Sequence, residues 1–322
     1  MQAQPLQSSP QSGDLSATTT SSKTGVFVKT LEHRRFVEFS DACRRDRYIG
    51  LCFGPPGIGK TLSALHYSRA GMIVPLDRWN SESRDQKPID TVLYTPEVVN
   101  SPARIEADIR RARETLFNIA SRAVRTEARA TLDGLRVRDE NWRQARRKDD
   151  PEYRSSHLPP FEPTYFSTFE DYEARNRAIP DPTTLIVIDE ADRLRMTSLE
   201  QLRSIFDASG LGMVLIGMPG IEKRIARYPQ FYSRIGFVHE FRPLGPVEVE
   251  RLLEQHWSSL SSLTQAPSPE VVRAIIRVTG GNFRLLRRLL TQMERVVDIN
   301  RLTALSEAVV ETARENLIIG QA

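Results

Sequence analysis

The sequence predicts an α/β fold: a parallel sheet wrapped on both faces by helices, followed by a smaller all-helical domain. Three observations carry that prediction. Short apolar runs recur between helical periods as far as Pro243, and strands alternating with helices over that length make a parallel sheet covered on both sides. The first of those runs enters a loop of glycines and prolines, Gly54 to Gly59, that opens directly into a helical period. Beyond Pro243 only helical periods remain. A chain of 322 residues has room for one large α/β domain, a small second one and a tail.

Residues 1–24 are mostly Ser, Thr, Gln and Pro. They bury too little apolar surface to offset chain entropy, and a disordered tail is expected. From Leu31 to Arg45, Phe36, Phe39, Ala42 and Cys43 follow a helical period, with Arg34, Arg35, Arg44 and Arg45 on the wet side. Ile49 to Phe53 read as a buried strand, Thr61 to about Arg69 as a helix and Thr91 to Thr95 as a second strand. Ser101 before Pro102 is a helix start, with a side-chain acceptor at the N-cap and proline at the first helical position. Ile105, Ile109, Ala112, Leu116, Ile119 and Ala123 line one face of that helix, and Asp133-Gly134 is expected to end it.

Residues 135–183 hold a basic stretch, then prolines scattered among aromatics, and are read as an irregular insertion. Leu185 to Ile188, Met213 to Ile216 and Phe237 to Phe241 are the remaining strands. Four helices are expected at Val247 to Trp257, Pro269 to Val278, Phe283 to Val297 and Leu302 to Asn316. The expected division is a tail over 1–24, an α/β domain over 25–243 and a helical domain over 244–322.

Lys and Arg total 45 against 41 Asp and Glu, giving a net charge of +4 and a pI near 9.2. That balance permits contact with nucleic acid without requiring it. The basic residues are nearly all arginine, suited to phosphate pairing, although a GC-rich genome gives the same bias. Cys43 and Cys52 have no His or Cys at metal-ligand spacing and read as buried thiols in a reducing compartment. No apolar run approaches the ~20 residues of a membrane span, and the N-terminus lacks the order of a secretory signal. A cytoplasmic protein without membrane contact is the expectation.

GPPGIGKT, Gly54 to Thr61, matches the phosphate-binding pattern G-x-x-x-x-G-K-[ST] between a strand and a helix. Gly54, Gly57 and Gly59, with Pro55, Pro56 and Ile58 between them, let successive N–H groups turn toward phosphate oxygens. Lys60 would reach the β- and γ-phosphates, and the Thr61 hydroxyl would ligate Mg²⁺. Thr61 and Leu62 open a helix that adds its positive end. LIVIDE, Leu185 to Glu190, carries acids at the tip of a buried strand. Asp189 would hold Mg²⁺ through its water shell, and Glu190 would orient and deprotonate an attacking water. An adjacent glutamate favours ATP hydrolysis over nucleotide sensing. Asp192 and Arg193 are read as surface or subunit-contact residues.

These motifs resemble the AAA+ ATPases over about residues 30–316, with the last domain as the lid. The resemblance implies further roles. The fourth strand, MVLIGMPG, places the sensor slot near Gly217 or Met218, where no Asn, Thr or Ser stands. FYSRIG, Phe231 to Gly236, resembles the arginine-finger segment, which makes Arg234 the residue offered to a neighbouring subunit, with Arg224 and Arg227 as runners-up. GGNFR, Gly280 to Arg284, resembles the second sensor motif and places Arg284 over the nucleotide, leaving Arg287 and Arg288 on the wrong turn.

EHRRF, RYIGLCFGPPGIGKT, TVLYTPEVVNSP, VIDEADRL and LIGMPG together resemble the MuB, TniB and TnsC group of transposition ATPases. That resemblance implies self-assembly, as a ring or helical filament, on target double-stranded DNA of any sequence, and delivery of that DNA to a transposase or related recombination protein. In ring- or helix-forming AAA+ proteins the loop after the second strand faces the channel. Asn100, Ser101 and Arg104 are therefore candidate phosphate contacts, as is the Arg146, Arg147, Lys148 cluster. Two other classes stay open: a partner-remodelling or loader ATPase, against which the absence of an aromatic residue in Pro96 to Ser101 counts, and a nucleotide-gated scaffold in defence or signalling, against which Glu190 counts.

Overall fold

A computed structural model describes residues 27–72, 89–149, 162–257 and 267–317. Helix α1 (Leu31–Asp46) leads into β1 (Ile49–Phe53) and α2 (Lys60–Ser68). Strand β2 (Thr91–Tyr94) and helices α3 (Pro102–Ala120), α4 (Arg122–Asp149) and α5 (Glu162–Arg177) follow. The core closes with β3 (Leu185–Ile188), α6 (Met196–Ser209), β4 (Gly212–Gly217), α7 (Ile221–Ala226), α8 (Pro229–Tyr232) and β5 (Ile235–Glu240). The last domain is α9 (Pro246–Trp257), α10 (Pro269–Thr279), α11 (Phe283–Asn300) and α12 (Glu307–Glu315).

The five strands are all parallel and lie in the order β2-β3-β4-β1-β5. Parallel strands covered on both faces read as unbroken apolar runs, as LIVI in β3 and MVLI in β4 do. Because side chains alternate across a strand, each run feeds two cores. Ile186, Ile188, Met213 and Leu215 meet Ile105, Ile109, Leu199 and Leu202 from α3 and α6 on one face. Leu185, Val187, Val214 and Ile216 meet Phe36, Phe39 and Cys43 of α1 on the other. Cys43 and Cys52 are both buried and free, and burial pushes the Cys43 thiol up to about 12, so it stays protonated. The order sets the carboxyl ends of β1 and β3 on either side of β4, where an open α/β sheet holds its ligand.

Ser101 caps α3, its side chain accepting from Arg104 N, with Pro102 in the first turn. The chain then departs from expectation. The helix breaks at Ser121 and resumes as α4, which runs through Gly134 to Asp149. Residues 135–183, expected to be irregular, are helical over much of their described length, with α4 packed on α5 and joined to it by Arg175–Glu127 at 2.6 Å. A mid-helix glycine costs about 1 kcal/mol. Pairs Arg129–Asp133, Arg136–Glu140 and Arg143–Asp139, at four-residue spacing, support the helix on both sides of Gly134.

In the lid, Val249, Leu253, Ile275, Leu286, Leu289, Met293 and Val310 form a separate core. The last helix begins at Glu307, later than the apolar pattern from Leu302 suggests. Leu244 N donates to Gly281 O at 2.9 Å, fastening the turn before α11 to the segment that leaves β5. That bond brings α11 down beside the loop after β1.

Candidate functional site

A cavity of about 960 Å³ lies between the glycine-rich loop, the ends of β3 and β4, and one face of α11. Pro56, Gly57, Gly59, Lys60, Thr61 and Leu62 form one wall, Asp189 and Glu190 a second, and Arg284 a third. Gly54 and Pro55 lie at the root of the loop, where their carbonyls accept from Lys60 Nζ at 2.5 and 2.7 Å. Ile58 turns the other way, into the core beside Phe36 and Phe241. Segments some 130 residues apart in the chain thus line one cavity.

Lys60 is only 8 % exposed. Burial lowers its ammonium below the ordinary lysine value, while Asp189 and Asp192 hold the charge on. Asp189 is 3 % exposed, its N–H donates to Tyr94 O at 2.8 Å, and its Oδ1 accepts from Glu190 N at 2.9 Å. A buried acid facing a hydroxyl and a buried lysine across a polar cavity fits a cation bridged to phosphate. Thr61 and Asp189 would hold Mg²⁺ there. Glu190 adopts left-handed backbone at φ 52°, which strains a residue with a side chain by about 1 kcal/mol or more. Its carboxylate forms an ion pair with Arg193.

Asp192 and Arg193, read from sequence as surface or subunit-contact residues, both line the cavity. Asp192 Oδ1 accepts from Met218 N at 3.0 Å, at the end of β4. The end of β4, with no polar side chain at Gly217 or Met218, thus has a carboxylate beside it from the turn after β3. Arg193 reaches from Glu190 to Pro96 O, donating at 3.1 Å, and its own carbonyl accepts from Asn100 Nδ2 at 3.2 Å. Neither role follows from the DE motif alone, because both depend on which strands become neighbours.

The other arginines sort differently from expectation. Arg287 and Arg288 line the cavity with Arg284, since residues three and four apart share a helix face; placing them on the wrong turn is corrected. Arg224 donates to the carbonyls of Ala191, Asp192 and Leu194, holding the turn after β3. Arg234 lies outside the cavity, held by Asp207 through Nε at 2.6 Å and Nη2 at 2.8 Å.

Among the expected phosphate contacts, Asn100 is corrected. It is 8 % exposed and its amide is committed: Nδ2 donates to Glu97 O and Arg193 O, and Oδ1 accepts from Ser198 Oγ at 2.7 Å. Ser101 spends its oxygen on the α3 cap, and Arg104 pairs with Glu97 and Asp108. Arg146, Arg147 and Lys148 are exposed at the end of α4 and make no ion pair among the described residues.

Comparison with known proteins agrees with this geometry. A family model described as an AAA domain matches residues 43–225. A "Potential ATP-binding protein" of Staphylococcus aureus is 37% identical over 300 residues, covering 91% of this chain and 97% of the relative. Among solved structures, Cdc6p from Pyrobaculum aerophilum is similar at a TM-score of 0.55 and 13% identity, covering 94% of this chain and 71% of that one. Drosophila ORC bound to DNA gives 0.50 and 13%, covering 98% and 71%. Both are likenesses of fold.

No helix among the described residues is long and apolar enough to cross a membrane.

Asn100→Ala should destabilise the fold by about 1–3 kcal/mol, because it strands the buried Ser198 hydroxyl and the Arg193 carbonyl. Urea unfolding checks this. Unchanged stability would contradict a structural role for the Asn100 side chain.

Proposed function

The chain belongs to the AAA family of P-loop ATPases, and from that premise we propose that it is an ATP-hydrolysing, oligomerising DNA-binding protein of the cytoplasm that coats or selects target duplex and recruits a transposase. In the catalytic half of this reading, Lys60 and Arg284 take the charge of the terminal phosphates from opposite walls. Thr61, and Asp189 through its water shell, would hold Mg²⁺, which when bound supplies positive charge against the phosphates. Glu190 aligns a water and accepts its proton, and must first exchange the Arg193 ion pair for that water. Arg234 supplies the missing positive charge in trans once it leaves Asp207.

The observation that carries the duplex half is the end of α4. Arg146, Arg147 and Lys148 stand exposed and unpaired among the described residues, on a helix of 28 residues that packs on α5 rather than in the sheet. Such a basic tip suits phosphate contacts that position a duplex without reading it. The segments around the P-loop that resemble the MuB, TniB and TnsC group support transposition as the process served. One observation favours partner remodelling instead: Val98 and Val99, at the loop after β2, are 74% and 78% exposed, an apolar tip suited to protein.

Two experiments test these readings. On random-sequence duplex, binding should require ATP or a non-hydrolysable analogue and weaken steeply with salt. Replacing Arg146, Arg147 and Lys148 with Ala should reduce the log–log salt slope by about 2–3 per protomer. No nucleotide-dependent binding at low salt would defeat the transposition reading in favour of protein remodelling at the Val98–Val99 tip.

For the finger, specific ATPase activity should rise with protein concentration. Mixing Arg234→Ala with Lys60→Ala protein should restore turnover through interfaces that join an intact loop to an intact arginine. Activity independent of concentration, with no rescue on mixing, would leave Arg234 a surface residue paired with Asp207.

A further inference from the structure

The lid touches the P-loop through backbone carbonyls, and Asn282 makes the contact possible. Its Oδ1 accepts from Arg284 N at 3.0 Å and Leu285 N at 3.2 Å, capping α11. Its Nδ2 donates to Pro56 O at 2.8 Å. The next carbonyl of the loop, Gly57 O, accepts from Arg284 N at 2.9 Å. The approach is close enough that a Cβ on Gly57 would stand 2.8 Å from Asn282 Oδ1 and 2.9 Å from Arg284 Cβ, and Gly57 has φ 80°. An ordinary helix cap needs only the acceptor side of the residue. The donor side of Asn282, aimed across the domain boundary at the loop, is left unexplained by capping.

Peptide geometry gives that donor a purpose. All the described peptide bonds are trans, so the C=O and N–H of one peptide unit point in opposite directions. Holding Pro56 O against Asn282 turns Gly57 N–H away from the lid, and holding Gly57 O against Arg284 N does the same for Ile58 N–H. The donors of the phosphate cradle are thus oriented from outside by the lid. The same two bonds fix where α11 begins, and hence where Arg284, Arg287 and Arg288 stand along the cavity wall.

We propose that Asn282 is a positioning residue for nucleotide binding: it latches the lid onto Pro56, aims the Gly57 N–H at the bound phosphates and sets Arg284 over them. The latch rests on the nucleotide site alone and is independent of any contact with DNA. Cost and benefit are those of preorganisation, since the ordering is complete before the ligand arrives.

Serine separates the two jobs of Asn282, because it caps as well as asparagine does but is too short to reach Pro56. The experiment is titration of full-length protein with a fluorescent ATP analogue and Mg²⁺, using wild type, Asn282→Ser, Arg284→Ala and the double variant, with thermal melting alongside. Asn282→Ser should melt within a few degrees of wild type yet bind about 3- to 10-fold more weakly, because loop and lid must then be ordered as the nucleotide binds. In the Arg284→Ala background the same change should cost clearly less, because part of its effect runs through Arg284. Analogue binding by Asn282→Ser equal to that of a binding-competent wild type overturns the latch while leaving the nucleotide site intact. A full, additive loss in the double variant overturns the role in placing Arg284.

Discussion

The structure depends on one seam, in which the loop after β1 is threaded between the exit of β5 and the start of α11. A Cβ on Gly54 would lie 2.3 Å from Phe241 O, so only glycine admits that approach. Phe241 N bonds to Phe53 O at 2.8 Å on the β5 side, and Asn282 closes on Pro56 from the other. The loop is therefore shaped by contacts outside itself. Gly54 lets the Phe241 backbone come near, and Gly57 does the same for the Asn282 and Arg284 side chains.

From that seam the electrostatics follow. Buried Lys60 rests on the Gly54 and Pro55 carbonyls, which hold its ammonium where a triphosphate can take over as partner. Opposite stand Asp189, Glu190 and Asp192, each restrained by a different contact: a backbone N–H, the Arg193 ion pair and the end of β4. Arg193 and Asn100 then run the restraint on through Pro96 and Ser198, so the loop carrying Val98 and Val99 and the turn carrying Glu190 form one bonded unit.

Much of this was legible in the sequence, for physical reasons that differ by element. Buried parallel strands such as LIVI announce themselves because both faces need apolar side chains, and the Ser101-Pro102 start was readable because capping is local chemistry. The site residues of the loop and of β3 were legible because strand, glycine turn, lysine and hydroxyl must follow in order. The insertion was misjudged: Gly134 reads as a helix stop, whereas α4 runs through it with charge pairs on either side, and Val124, Ala128, Leu132 and Leu135 form only a sparse stripe on its covered face. The roles of Asn100, Asp192, Arg193 and Arg224 depend on strand order and on contacts between 26 and 98 residues apart in the chain, which a single sequence does not specify. Arg287 and Arg288 could have been placed, since three- and four-residue spacing from Arg284 puts them on its face.

The central claim is that the seam builds a hydrolytic site in which Lys60 binds phosphate and Glu190 acts on water alone. Measuring nucleotide binding and Mg²⁺-ATP turnover separately in Lys60→Ala and Glu190→Gln tests it most directly. The account predicts that Lys60→Ala loses binding, while Glu190→Gln binds like wild type and turns over about 10²-fold or more slowly, the usual cost of removing a general base. Wild-type turnover by Glu190→Gln would contradict it.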